Sequence, residues 1–152
     1  KRKINLATIY RPLNNIFLNP LMEYLRKKYV CGFQIKKGRS GVREAMNYIQ
    51  KKFSIALMVD QRVSEGEKVK FFNVDSFTST LPAQLALKYN LDIVPIFLER
   101  KNDKYFFMKV LKPINPEKIG NKIEVTKKIN KIIEDMITKN PYQWIWTHDR
   151  WK

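Results

Sequence analysis

The C-terminal segment NPYQWIWTHDRWK, which begins at Asn140, contains the only histidine of the 152 residues, set among three tryptophans. A histidine that acts as a general base needs a carboxylate to orient its imidazole and a cleft that holds the substrate. Asp149 follows His148 directly, but neighbouring side chains of an extended chain point to opposite faces, so Asp149 is a poor orienting partner. We therefore predict that His148 and the tryptophans pack and anchor this segment.

A second candidate for chemistry is Asp60-Gln61-Arg62, which follows the apolar residues 54–59. A continuous apolar run of this length predicts a strand that is buried on both faces. A carboxylate at its end must be hydrated, hydrogen-bonded or paired with a cation, because burying an unpaired charge is too costly. From the residues alone, Asp60 either contributes to a site or caps a loop.

Arg11 is a third candidate, since it follows the strand-like residues 4–10 and precedes Pro12, which prevents further ladder pairing. An arginine held there can clamp an anionic group, or it can be an ordinary surface residue in a turn. Sites in parallel sheets form beyond the carboxyl ends of the strands. We therefore predict that Arg11 and Asp60 lie at one sheet edge, where the two could pair.

Helical and strand-like patterns alternate along the chain and would position these residues. This alternation predicts an α/β fold in which residues 1–152 form a single layered αβα domain with a largely parallel sheet. Residues 62–80 fit neither pattern and are predicted to be irregular. The predicted strands are residues 4–10, 54–59, 93–98 and 105–111, and the predicted helices are residues 14–29, 38–53, 81–90 and 125–138.

Some of these elements carry more specific predictions. Asn19 is predicted to cap the first helix, with Pro20 in its first turn, and Ser40 to cap the second. Residues 93–98 predict another buried strand, and the turn sequence RKND predicts that the next strand pairs with it in an antiparallel manner.

The formal net charge of +16 favours an anionic partner, such as nucleic acid, an acidic protein or an anionic membrane face. Lysine greatly outnumbers arginine, so biased codon usage explains most of this charge equally well. Cys31 is the only cysteine, which excludes a disulfide framework and a structural zinc site. The longest apolar run, residues 93–98, is far shorter than the ~20 residues that a membrane-spanning helix needs.

The sequence lacks the motifs of several enzyme classes. It contains no G-x-G-x-x-G, no G-x-x-x-x-G-K-[ST] and no G-x-S-x-G, so dinucleotide, P-loop and hydrolase sites lack support. The aromatic residues fall mostly in core-like strands and helices rather than among exposed basic residues. We therefore expect no nucleic acid partner.

Five segments together carry a specific resemblance: IYRPLNN, KKGRSGVREAMNYI, IALMVDQ, VKFFNVDSFTSTLPAQLALKYNLDIVPIFLER and PYQWIWTHDRWK. In this order, and across nearly the whole chain, they resemble the C-terminal portion of the bacterial lipid A biosynthesis acyltransferases. These are the lauroyl/myristoyl type of the lysophospholipid acyltransferase superfamily. The resemblance implies transfer of a fatty acyl chain from acyl carrier protein to a hydroxyl of a lipid A precursor, without a metal or redox cofactor.

In that family a His-x-x-x-x-Asp/Glu pair deprotonates the acceptor hydroxyl. The motif is absent from this sequence, and His148 instead matches the terminal tryptophan, histidine and arginine segment of the family. We therefore expect the chain to be a fragment that is inactive alone, with the catalytic pair and a hydrophobic anchor upstream of Lys1. The resemblance places the enzyme at the cytoplasmic face of the bacterial inner membrane.

The resemblance also implies roles for particular residues. Arg11 resembles the arginine that binds the polar head of the acceptor, and Asp60 the active-site carboxylate, so both are expected to support catalysis. The implied substrate-binding residues are Arg11, Asp60, Gln61, Arg62, Val94 and Pro95.

Acidic acyl carrier protein and an anionic membrane surface would both suit the positive charge. The candidate contact residues are Lys27, Lys28, Lys36, Lys37, Lys127, Lys128 and Lys131. The alternative function is that of a non-catalytic domain that binds anionic lipid or an acidic protein.

Overall fold

Four helices and seven strands alternate in the computed structural model over its described residues, 4–63, 66–102 and 104–151. A three-stranded parallel sheet and two antiparallel strand pairs make up the β-structure. The predicted α/β class is therefore confirmed. Two compact units divide the chain, Lys1–Met58 and Val59–Lys152.

The parallel sheet lies in the first unit and has the strand order β2-β1-β3. Helices α1 and α2 form the crossover connections that parallel strands require. The elements are β1 (Leu6–Tyr10), α1 (Leu18–Tyr29), β2 (Phe33–Lys36), α2 (Arg39–Gln50) and β3 (Ser54–Ala56).

Strand β2 was not predicted from the sequence. Its four residues pair with β1 in register from Ala7 opposite Phe33 to Tyr10 opposite Lys36. Ile35 is fully buried in this strand. A run of four residues is too short for alternation to stand out between two strongly helical patterns, so its partner strand decides its conformation.

Both predicted helix caps were wrong. The side chain of Asn15, not Asn19, accepts hydrogen bonds from the backbone N–H groups of Phe17 and Leu18 at the start of α1. The N-cap of α2 is Gly38 rather than Ser40, and its φ of 139° is a conformation that favours glycine.

Gly41 permits the close packing of α2 on the end of β2. A β-carbon at this position would lie 1.9 Å from the carbonyl oxygen of Lys36 and 3.3 Å from Cγ2 of Ile35. Only glycine therefore allows the first turn of α2 to approach the backbone of β2 this closely.

In the second unit, β4 (Glu67–Phe71) and β5 (Val74–Thr78) form an antiparallel hairpin. The two turn residues, Phe72 and Asn73, have φ values of 50° and 62°, as a two-residue hairpin turn that matches the strand twist requires. The prediction of an irregular stretch was therefore wrong for the described part of residues 62–80, and residues 64 and 65 lie outside the described residues.

Strands β6 (Ile96–Lys101) and β7 (Tyr105–Val110) form the second antiparallel pair, as predicted. The predicted burial of residues 93–98 was wrong, because Ile96 and Leu98 are more than half exposed. The predicted turn before β7 includes residue 103, which lies outside the described residues.

The predicted strand at residues 54–59 was also wrong in extent and burial. Regular pairing stops at Ala56, the end of β3, and Met58 is 77% exposed. A continuous apolar run does not distinguish a buried strand from an exposed apolar segment, because burial depends on neighbours far away in the sequence.

The helices α3 (Leu81–Tyr89) and α4 (Lys122–Lys139) complete the second unit, and both were predicted. The core between α4 and the β4–β5 hairpin contains Phe71, Ile133 and Ile137. Trp144 and Trp151 of the C-terminal segment pack against this core. No helix among the described residues has the length and apolarity needed to cross a membrane.

The contact at Gly41 predicts that Gly41→Ala destabilises the protein. Alanine stabilises a helix interior by about 1 kcal/mol relative to glycine. The clash with the Lys36 carbonyl should outweigh this gain, so we expect the free energy of unfolding to fall by about 2 kcal/mol. Urea denaturation measures the difference. Gly32→Ala is the matched control, since nothing lies within 4 Å of a β-carbon there. Equal stability of the two variants would contradict the packing described here.

Candidate functional site

The carboxyl ends of β1 and β2 form a cationic edge in the first unit. The backbone N–H of Lys37 donates to the carbonyl of Tyr10 at 2.9 Å, so Arg11 and Lys37 leave the sheet side by side. Helix α2 begins two residues after Lys37 and has no acidic residue in its first turn. Because backbone N–H groups and a partial positive charge are present at a helix N-terminus, this edge favours anions.

Tyr10 and Glu23 form a hydrogen-bonded pair directly before Arg11. The Tyr10 hydroxyl donates to Oε1 of Glu23 at 2.8 Å, and Nδ2 of Asn19 donates to the same oxygen at 2.8 Å. Lys36 Nζ lies 3.1 Å from this oxygen, and the Arg26 guanidinium lies 5.1 Å from the Tyr10 ring centroid. The network anchors the end of β1 and connects it to α1 and β2.

This network changes the ionisation of both partners. Hydrogen bonds from Tyr10, Asn19 and Lys36 lower the pKa of Glu23 from 4.5 to about 2. Burial and the hydrogen bond with Glu23 raise the pKa of Tyr10 to about 12. Glu23 is therefore ionised and fully engaged at neutral pH.

Arg11 is exposed, and among the described residues its side chain forms no hydrogen bond or ion pair. Its guanidinium is accordingly available to an anionic group from solution. Asp60 belongs to the second unit, so the predicted pairing of Arg11 with Asp60 stays a prediction.

In the second unit, the backbone that carries Asp60 is held by Arg150, the only fully buried charged side chain among the described residues. Nη1 of Arg150 donates to the carbonyl oxygen of Asp60 at 2.7 Å and to that of Val59 at 3.3 Å. Nη2 donates to Oδ1 of Asn130 on α4 at 2.9 Å. The guanidinium thus joins the Asp60 segment to a helix that is distant in sequence.

The β4–β5 hairpin completes the surroundings of Arg150. The guanidinium carbon of Arg150 lies 4.0 Å from the centroid of the Phe71 ring, and the backbone carbonyl of Arg150 accepts a hydrogen bond from the Ser76 hydroxyl. Nε1 of Trp151 donates to the Phe71 carbonyl at 3.0 Å. Burial lowers the pKa of Arg150 to about 10, while the Asp60 and Glu134 carboxylates oppose this shift, so the guanidinium is charged at neutral pH.

A pocket of about 130 Å³ lies beside this segment. Its lining combines a carboxylate, an amide and an imidazole with apolar side chains, from Asp60, Gln61, Trp144, Ile145 and His148. Such a set can accept and donate hydrogen bonds to a hydroxyl-bearing ligand while an indole ring covers its apolar side. The structure therefore brings Asp60 and Gln61 together with His148, which the sequence had separated.

His148 differs from the packing residue that was predicted. Its side chain is exposed, and Trp144, Trp151 and Arg150 anchor the segment instead. The prediction was thus correct for the segment as an anchor and wrong for the histidine itself, because a residue in an anchored segment can still point towards solvent.

The remaining predicted residues lie apart from this pocket lining. Arg62 is exposed directly after Gln61. Val94 and Pro95 precede β6, and Val94 is 44% exposed. The role of these three residues in substrate binding stays a prediction.

Sequence reasoning missed Glu23 and Asn130 as residues that organise the two regions. Asn130 had a detectable signal, since it is an asparagine between apolar positions of α4 and a buried amide needs partners. Its Nδ2 donates to the Lys70 carbonyl at 2.9 Å while its Oδ1 accepts from Arg150. Among the described residues, no group of three or more His, Cys, Asp and Glu side chains could hold a metal ion.

The low pKa of Glu23 predicts a specific acid sensitivity. Because the folded-state value lies below the ordinary one, the stabilisation is fully present above about pH 4.5 and is lost as the pH falls towards about 2. The difference in unfolding free energy between the wild type and Glu23→Gln should therefore shrink across this window. Urea titrations at several pH values measure it, and a difference independent of pH would contradict the network.

The exposure of His148 predicts that His148→Ala changes the unfolding free energy by no more than about 0.5 kcal/mol. Trp144→Ala, which removes a core-packed ring from the same segment, should cost about 3 kcal/mol or more. Thermal or urea denaturation of both variants measures this contrast. A large loss of unfolding free energy in His148→Ala would instead support the predicted packing role of His148.

Residues 1–152, the whole chain, match the family model described as bacterial lipid A biosynthesis acyltransferase. No curated protein matches the chain. The family match confirms the resemblance seen in the sequence and indicates an acyltransferase of lipid A biosynthesis, with a lipid A precursor as substrate. The chain belongs to the bacterial lipid A biosynthesis acyltransferase family.

Proposed function

We propose that this chain is part of an enzyme that transfers a fatty acyl chain from acyl carrier protein to a hydroxyl group of a lipid A precursor. The observation that carries this proposal is the family match over residues 1–152. The cationic edge at Arg11 and the polar pocket at Asp60 support it, because an acceptor of this kind presents both an anionic head and hydroxyl groups.

The proposed reaction needs no metal or redox cofactor. A base removes the proton of the acceptor hydroxyl, and the oxygen attacks the thioester carbonyl of the acyl donor. The resulting tetrahedral intermediate expels the thiolate of acyl carrier protein, which takes up the proton from the base. We propose that this base is the histidine of a His-x-x-x-x-Asp/Glu pair upstream of Lys1, as the resemblance implies.

Arg11 would bind the anionic head of the acceptor. Its exposed guanidinium, which has no hydrogen bond or ion pair within residues 4–63, 66–102 and 104–151, can form two parallel hydrogen bonds to one anionic group. Lys37 and the N-terminus of α2 lie beside it and add positive potential. The Tyr10–Glu23 network holds the preceding residue, so that Arg11 projects from a fixed backbone.

Asp60 and Gln61 would bind the hydroxyl-bearing part of the acceptor. An ionised carboxylate accepts hydrogen bonds from hydroxyl groups, and the Gln61 amide can both donate and accept. In this proposal Arg62 assists the binding, while Val94 and Pro95 shape the substrate pocket.

We also propose that the protein works at the cytoplasmic face of the bacterial inner membrane. Ile16, Phe17 and Leu21 are at least half exposed on α1 and the turn before it, and Lys27 and Lys28 lie on the same helix. Exposed apolar and basic residues on one helix suit an anionic lipid surface.

Lys127 and Lys131 of α4 are less available to an anionic partner. Lys127 pairs with Glu124, and Lys131 pairs with Glu134 and Asp135 on the same helix. Acyl carrier protein, as an acidic partner, is therefore more suitably bound by Lys27, Lys28 and Lys37 than by α4.

The proposal predicts that Arg11→Ala and Asp60→Asn each lower acyl transfer by about 10- to 100-fold in the natural full-length enzyme, while the fold remains intact. This corresponds to the loss of one or two charge-assisted hydrogen bonds. The measurement is transfer of a labelled acyl group from acyl carrier protein to a lipid A precursor.

Two exposed residues provide matched controls. Lys51→Ala removes a positive charge at the C-terminal end of α2. Asp75 lies on β5, and Asp75→Asn makes the same chemical change as Asp60→Asn. Both should retain near-normal turnover. Near-normal turnover of Arg11→Ala or Asp60→Asn would reject that residue's assignment, whereas absence of transfer by the wild-type full-length protein would favour the non-catalytic lipid-binding alternative.

A further inference from the structure

The buried guanidinium of Arg150 grips the backbone directly beneath two of the proposed substrate-binding side chains. Its Nη1 donates to the carbonyls of Val59 and Asp60, and the second of these belongs to the peptide that joins Asp60 to Gln61. The segment around these carbonyls is outside the regular strands. Its conformation therefore depends on contacts such as these rather than on a ladder of strand hydrogen bonds.

We propose that Arg150 is a positioning residue for the acyltransferase site: it fixes the Val59–Gln61 backbone so that Asp60 and Gln61 face the pocket they share with His148. This inference rests on the proposed function of Asp60. Arg150 itself is fully buried, so it acts through Asp60 and Gln61 and does not touch the substrate.

Only an arginine satisfies the contacts that meet at this point. One guanidinium nitrogen reaches two successive carbonyls, the other reaches Asn130 Oδ1, and the flat group lies on the Phe71 ring. A lysine ammonium is a single point of charge and does not reproduce a planar fork that also stacks on a ring. The contacts thus fix both the position and the orientation of the segment.

A contribution to stability alone explains the buried charge of Arg150 less well. A buried charge needs hydrogen bonds to offset its desolvation, and an apolar side chain of similar volume often packs as stably. Here Nε of Arg150 has no hydrogen-bond partner among the residues that the structure describes, and burial lowers the pKa of the guanidinium. A charge retained under these conditions fits a requirement for a defined backbone geometry, and it also attracts the nearby Asp60 carboxylate.

The test measures kcat and acceptor KM in the natural full-length enzyme for Arg150→Lys, Asp60→Asn and the double variant. If Arg150 acts through the Asp60 segment, Arg150→Lys should lower kcat by about 10- to 100-fold, because small displacements of a site residue have effects of this size. In the Asp60→Asn background the same change should lower kcat no further.

Trp151→Phe is the matched control. It removes the indole N–H bond to the Phe71 carbonyl from the neighbouring residue, but leaves the contacts of Arg150 with Asp60 in place. It should lower the melting temperature and keep kcat within about twofold of the wild type. If Arg150→Lys does not fold, Asn130→Ala loosens the guanidinium while the charge remains, and its kcat loss should likewise disappear in the Asp60→Asn background.

The outcomes distinguish the proposed function of Asp60 from the positioning role of Arg150. Near-normal kcat of Asp60→Asn would overturn the proposed function of Asp60, and the positioning role with it. A large effect of Asp60→Asn together with wild-type kcat of Arg150→Lys would overturn the positioning role alone. Multiplicative losses in the double variant would also overturn it, since they would indicate that Arg150 acts independently of Asp60.

Discussion

A charged guanidinium removed from water must find hydrogen-bond acceptors, and in the second unit this requirement determines how four parts of the chain meet. Arg150 draws the carbonyls of the Val59–Asp60 segment, the Asn130 amide of α4 and the Phe71 ring of the hairpin around one planar group. The side chain of Asn130 accepts a hydrogen bond from Arg150 and donates one to the Lys70 carbonyl, so α4 is also bonded to β4 next to Phe71. Each partner satisfies a polar group that would otherwise be buried without one.

In the first unit a carboxylate, that of Glu23, is the ionised group around which hydrogen-bond partners gather. Glu23 receives hydrogen bonds from Tyr10 and Asn19 and an ion pair from Lys36, so that one side chain of α1 holds the ends of two adjacent strands. Arg11 at the same edge is exposed, and its side chain has no hydrogen bond or ion pair in the described part of the chain. In each unit one ionised group thus fixes the backbone next to a residue of the proposed site, Arg11 or Asp60.

Charge in this protein is unevenly engaged, which bears on how its partners would bind. Lys127 and Lys131 of α4 form ion pairs with acidic residues of their own helix. In contrast, Arg11, Lys37 and the start of α2 form a cationic edge, and the first turn of α2 has no acidic residue. The net charge of +16 alone does not distinguish these regions. Electrostatic attraction between exposed charges acts locally, since salt screens it beyond about 8 Å.

Patterns that depend on near neighbours were readable from the sequence: helices α3 and α4, the pairing of β6 with β7, the α/β class, and the family through its ordered motifs. The tertiary structure alone decided what depends on distant partners: the existence of β2, the end of β3 at Ala56 and the exposure of Ile96. The same holds for the sites. Asp60 and His148 were visible in the sequence as residues capable of chemistry. Their common pocket and the burial of Arg150 depend on contacts between distant parts of the chain, since Asp60 and Arg150 are 90 residues apart. Local preferences determine which elements can form, whereas burial and hydrogen-bond satisfaction are properties of the assembled fold.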